Sequence, residues 1–285
     1  MQTITWNGFT IQTDSHPLPC SASMPGINNG NLWLPANVQV LQNGNLQMSI
    51  QKNSGCTWNN NGVPEEIWAA SEAVFQNTLS YGTYCCTFKF TDADGNLAWD
   101  QFALSNSTPP ALNMTTTFGV FLYDPTNNGG DNPFSEIDMI EVGYQNQANN
   151  GSGWIGQQPG GPSLNNAQFA LQPWDAGSPG QPNFDMVRRI ALDISKIKAT
   201  ASGEVTILMK WTAAGAPVEY SLAYGAYNST NWPSKGTISY TTPTSVNSYV
   251  PALSSTMQLH LNLWPYGGPS TGDPVYCEIT NLEMP

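Results

Sequence analysis

The stretch Phe134-Ser135-Glu136-Ile137-Asp138-Met139-Ile140-Glu141-Val142 holds three carboxylates within six residues of an otherwise uncharged run. Successive side chains of a β-strand point to opposite faces, so Glu136 and Asp138 share one face and Ile137 takes the other. A regular strand would carry Glu141 to that second face, beside Ile137 and Met139. One β-bulge at the Met139-Ile140 step returns all three acids to a single face. Met139 and Ile140 then become the strand's contribution to the core.

Acids packed this way destabilise a strand through mutual repulsion and lost hydration, and such clusters hold a proton at a raised pKa. An ionised carboxylate beside a protonated one is the pair that retaining glycoside hydrolysis employs, with the two groups about 5–5.5 Å apart. The Cα atoms of Glu136 and Glu141 are expected roughly 13 Å apart at about 3.3 Å per residue. Their side chains must therefore lean together over a curved sheet. Two plainer readings compete: a solvated strand face, and a structural calcium site built on carboxylate oxygens.

Period-two hydrophobicity extends outward from this stretch. Thr115–Tyr123 precedes it, and Trp154–Gln158, Ala167–Trp174 and Met186–Ile194 follow. Further strands are expected at Val38–Leu41, Leu46–Lys52, Glu66–Phe75, Tyr81–Thr91 and Leu97–Ser105. The later ones are Glu204–Trp211, Val218–Tyr227, Thr237–Thr242, Met257–Trp264 and Val275–Met284. Asn43-Gly44-Asn45 marks a hairpin turn. The one expected helix is a turn or two around Ser195–Ala199. No linker or repeat divides the chain, so residues 1–285 read as one all-β domain, an antiparallel sandwich or jelly roll.

Composition narrows the function. The chain has 285 residues, eight Lys or Arg against twenty Asp or Glu, and a net charge of −12. So few and scattered cations exclude a nucleic-acid partner, whose phosphates need a basic stripe. An acidic surface is likewise repelled by anionic lipid, and no apolar run of about 18 residues offers a membrane span. The first 30 residues lack the basic and apolar regions of a secretory leader. Ten tryptophans, scarce Lys and an amide-rich surface nevertheless point to a secreted protein that handles neutral sugars. The five cysteines, Cys20, Cys56, Cys85, Cys86 and Cys277, match no zinc or redox spacing. One or two disulfides and a free thiol are expected. Cys85 and Cys86 point to opposite faces of a strand.

The chain resembles glycoside hydrolase family 16, secreted β-glucanases and galactanases with a β-jelly-roll fold. Glu136-Ile-Asp138-Met-Ile-Glu141 is similar to the bulged form of that family's active-site motif. The Asn37–Met48 hairpin, Tyr81-Gly82-Thr-Tyr84 with Lys89, and Leu261-Asn262-Leu263-Trp264 with Gly267-Gly268 stand in the family's order. The resemblance covers residues 30–285. It implies a concanavalin A-like sandwich of two curved antiparallel sheets, with Glu136 as nucleophile and Glu141 as general acid/base. Asp138 becomes the middle carboxylate that tunes its neighbours. Three departures stand out. Cys85, Cys86 and Thr87 replace the family's Glu and Arg. Phe118, Phe121 and Tyr123 stand where a Trp often precedes the motif. The His that often follows the motif gives way to the Trp154 region.

Sugar faces stack on aromatic rings, so Trp264, Tyr266 and Trp154 are candidate substrate platforms. His260 alternates with Leu259 and Leu261 and is expected beside Asn262, both on the acid face. Arg188 and Arg189 point to opposite faces, so at most one reaches that side. The expected function is retaining hydrolysis of β-1,3- or mixed-linkage β-1,3/1,4-glucan, by a monomer, on a polysaccharide or oligosaccharide substrate, with no cofactor required. The alternatives are a non-catalytic lectin on the same fold, a galactan-active member of the family and a transglycosylating one. A lyase is the remaining reading, because Tyr220–Asn228 faintly resembles a strand of alginate lyases.

Overall fold

Alternating apolar and polar residues fold here almost entirely into β-structure. The computed structural model describes residues 2–13, 32–60, 63–102, 114–127, 135–143, 166–172, 184–269 and 274–285, with the backbone alone at some positions, among them 53–60, 63–67 and 265–269. The first strands are β1 (Gln2–Trp6), β2 (Phe9–Thr13), β3 (Leu32–Trp33), β4 (Val38–Val40), β5 (Leu46–Asn60) and β6 (Val63–Phe75). There follow β7 (Gly82–Thr91), β8 (Met114–Tyr123), β9 (Glu136–Gly143), β10 (Ala167–Gln172) and β11 (Val187–Ile190). After the helix α1 (Ile194–Ala199) come β12 (Val205–Trp211), β13 (Glu219–Tyr224), β14 (Ile238–Thr241), β15 (Gln258–Pro269) and β16 (Val275–Glu283).

Two antiparallel sheets face each other. The front sheet runs β11-β10-β9-β8-β15-β6, with β2 and β1 continuing beyond β6. The back sheet runs β5-β16-β7-β12-β13-β14, with β4 beside β5. The long strands β5 and β6 belong to both. Leu46–Ile50 pairs with β16 at the back, Gln51–Asn60 pairs with the first part of β6, and Ser71–Phe75 pairs with β15 at the front. The sheets are thus one ribbon folded over along this seam, the jelly-roll sandwich expected from the sequence.

The core lies between them. Phe118 of β8 packs on Phe88 and Phe90 of β7 at 4.7 and 5.6 Å between ring centroids. At the other side of the sandwich Phe169 of β10 stacks on Tyr220 of β13 at 5.0 Å. Tyr220, from the lyase-like segment, is therefore a core residue of the back sheet, its hydroxyl donating to Ala170 O at 3.4 Å. Burying rings of this size contributes roughly 1.5–3 kcal/mol each to holding the sheets together.

Local signals explain the turns. The Leu41 N–H bonds Asn45 O at 2.9 Å, Asn43 Oδ1 accepts from Asn45 N at 3.0 Å, and Gly44 takes a φ of +86°. Asp193 caps α1 by accepting from Ser195 N and Lys196 N. The β1–β2 hairpin was not anticipated, although Asn7-Gly8 adopts positive φ at both residues, the strongest short hairpin signal there is.

Two expectations are corrected. The described part of the expected strand Leu97–Ser105, residues 97–102, is not a strand: Leu97 makes a single bridge to Thr91, and Trp99–Phe102 is a 3-10 turn. Trp99 sinks into the core against Phe90 at 4.8 Å, and its Nε1 donates to Gly203 O at 2.8 Å. Cys85, Cys86 and Cys277 are free, buried thiols, so the expectation of a lone free thiol fails. They sit inside strands as small apolar residues. Cys20 and the side chain of Cys56 lie outside the described residues.

Candidate active site

Strand β9 lies between β8 and β10, and its register carries the bulge. Against β8, Tyr123 faces Glu136 and Phe121 faces Asp138. The pairing then slips, so that Val120 faces Ile140 and Gly119 faces Glu141. The same step appears against β10, where Ala170 faces Asp138 and Gln168 faces Glu141. Met139 is the extra residue. Both it and Ile140 are buried in the core, as the pattern of acids demanded. Glu136, Asp138 and Glu141 all lie on the outer face of the front sheet.

Each acid has a distinct environment. Glu141 is 6% exposed, and Gln168 Nε2 donates to its Oε2 at 2.6 Å. Burial pushes the Glu141 carboxyl up to about 7; the bond from Gln168 opposes this and the charge of Glu136 adds to it. Asp138 is driven well above the usual carboxylate range, by burial first and then by the charges of Glu141 and Glu136. Neither Asp138 oxygen has a hydrogen bond of proper geometry, although Glu136 and Gln172 press closely on it. Burial also raises Glu136, which Asp138 and His260 pull back toward the carboxylate. Asp138 is thus the natural holder of a proton between two glutamates.

The next strands complete the face. On β15, His260 stands opposite Phe121, Asn262 opposite Gly119 and Trp264 opposite Thr117. His260 stacks on Phe121 at 5.2 Å, and its Nδ1 lies 3.1 Å from Glu72 Oε1. A Cβ at position 119 would meet Asn262 Oδ1 at 2.7 Å, so the absence of a side chain at Gly119 gives Asn262 its place beside Glu141. Trp264 is half-buried two residues further along the same face. Beyond Glu141, Gln168 pairs with Arg189, which is 3% exposed, while Arg188 is exposed on the opposite side.

Asn262, His260 and Trp264 therefore stand on the acid face. Trp154 and the side chain of Tyr266 lie outside the described residues. Sequence reading missed Gln168, Gln172, Gly119 and Glu72. The strand beside the acids presents Gln168 and Gln172. Among the described residues no group of three acids, His or Cys is arranged to hold a metal ion. Nor is any described helix long and apolar enough to cross a membrane.

No family model and no curated protein sequence matches the chain. Solved structures do. One is a non-specific endo-β-1,3(4)-glucanase of glycoside hydrolase family 16, crystallised with a gluco-oligosaccharide at its active site. It aligns at a TM-score of 0.53 and 12% identity, over 95% of this chain and 86% of that one. A second is a prokaryotic β-1,3-1,4-glucanase, a lichenase from a mouse hindgut metagenome, at a TM-score of 0.50 and 13% identity over 97% and 92% of the two chains. At such identities the likeness is one of fold: this chain has the jelly roll of the family 16 glucanases.

Proposed function

We propose that the chain is a secreted, monomeric endo-β-glucanase that cleaves β-1,3- or mixed-linkage glucan with retention of configuration. The observation that carries this reading is the division of labour among the three acids on one strand face. Glu136 is the nucleophile: its carboxylate attacks the anomeric carbon and forms the glycosyl-enzyme bond. Glu141, protonated up to about neutrality, gives its proton to the departing glycosidic oxygen and then takes one from the attacking water. Asp138 keeps its proton between them, sparing the site two adjacent charges. Gln168 holds the Glu141 carboxyl in one orientation. Trp264 and Asn262 lie along the same face, where a sugar ring would stack and bond.

Fold alone does not distinguish an enzyme from a lectin. The acids favour the enzyme, since a binding protein for neutral sugars has no use for three clustered carboxylates that repel one another. The deciding experiment is incubation with laminarin, lichenan, agarose and alginate, followed by proton NMR of the first product. A β-anomer released from laminarin or lichenan is expected. An α-anomer would overturn the nucleophile assignment, and binding without cleavage would favour the lectin.

A further inference from the structure

His260 is held in the acid face from two sides. From β6, Glu72 Oε1 lies 3.1 Å from Nδ1. From β8, Phe121 stacks on the ring and Tyr123 meets it edge-on at 5.7 Å. On β9, Glu136 and Asp138 stand opposite those two aromatic residues. With Glu72 ionised, Nδ1 donates, which fixes the ring's orientation. The other nitrogen, Nε2, is buried without a hydrogen-bond partner, on a residue only 8% exposed. An unpaired buried polar atom is costly, and where a fold keeps one it calls for a use.

Counter-charge is scarce in a chain with eight Lys and Arg against twenty acids. Three carboxylates nevertheless crowd one patch of the front sheet, and the basic side chain packed on the aromatic pair opposite Glu136 and Asp138 is His260. A positive charge on its ring favours the carboxylate form of Glu136.

We infer that His260 is a positioning residue: locked by Glu72 and Phe121, its imidazolium supplies the counter-charge beside which Glu136 stands as a carboxylate. This deepens the glycosidase reading and rests on it for the role of Glu136. The electrostatic link itself can be measured without any activity.

Carbon-13 NMR of protein labelled at the glutamate Cδ follows Glu136 directly, its resonance identified by its loss in Glu136→Gln. In His260→Gln the protonation of Glu136 is expected at higher pH than in the unsubstituted protein. Glu72→Gln, which releases the ring, moves it the same way by less. On glucan, the acidic limb of kcat/KM shifts with it, and kcat/KM below neutrality drops about tenfold, the rate equivalent of one charge-assisted contact. KM itself changes little. A Glu136 titration unmoved in both variants overturns the inference, and Glu72→Gln decides it should His260→Gln fail to fold. A protein inert on every β-glucan would sink the glycosidase reading, while the NMR titration would still decide the link between His260 and Glu136.

Discussion

Glu136, Asp138 and Glu141 differ in surroundings more than in chemistry, and single substitutions should separate them. Glu136→Gln keeps the side chain's shape but removes the attacking oxygen. Turnover of glucan is expected to fall more than about a thousandfold while calorimetric binding of the oligosaccharide persists. Loss of both together would point to a collapsed site. Glu141 works as an acid only while protonated, so the alkaline limb of kcat/KM belongs near its value of about 7. The bond from Gln168 favours its charged form. Gln168→Leu should therefore move that limb to higher pH, even as kcat falls from lost orientation. A limb moving to lower pH would contradict the role given to Gln168.

The bulge is the element on which the arrangement of β9 depends. Without it Glu141 would enter the sandwich interior as an unpaired charge, at a cost of several kcal/mol. Deleting Ile140 turns the strand into an unbulged Glu136-Ile137-Asp138-Met139-Glu, still with all three acids outward. An Ala inserted after Asp138 instead removes the need for the bulge by turning Met139 out of the core onto the acid face, with Ala in its place inside. Thermal melting should find the deletion the more stable of the two, and the reverse order would refute the register. This much was legible in the sequence, because alternation and three charges leave a strand few choices. The β1–β2 hairpin was legible too, in Asn7-Gly8, but went unread. Other features were not written locally. The 3-10 turn at Trp99 follows from a ring packing between Phe90 and the Gly203 carbonyl, which periodicity does not record. Gln168 and Glu72 reach the site only through sheet order, since β10 flanks β9 directly while β6 stands beyond β8 and β15.

For the molecule as a whole, the acid face is a standing liability. Carboxyls whose folded pKa is raised bind protons in the folded state that the unfolded chain has released. At low pH, where both states are protonated, they cost nothing. Stability is then lost as pH climbs from the ordinary carboxylate range to the folded value, which for Glu141 is about 7. Asp138, raised for the same reason, adds to that loss. Asp138→Asn should accordingly raise the melting temperature at pH 8 more than at pH 5, while lowering activity. An equal gain at both values would mean that the stabilisation is not electrostatic. The sheet order has a consequence of another kind, for synthesis on the ribosome. Strand β15 lies between β6 and β8, and β16 between β5 and β7, so each is translated after both of its neighbours. Until they emerge, each sheet is split, and four strand edges that belong inside stand open. Folding must wait for them, and the waiting chain is exposed to aggregation. A chain stopped before Val275 should therefore be recovered as aggregate, in spite of carrying every acid of the active face.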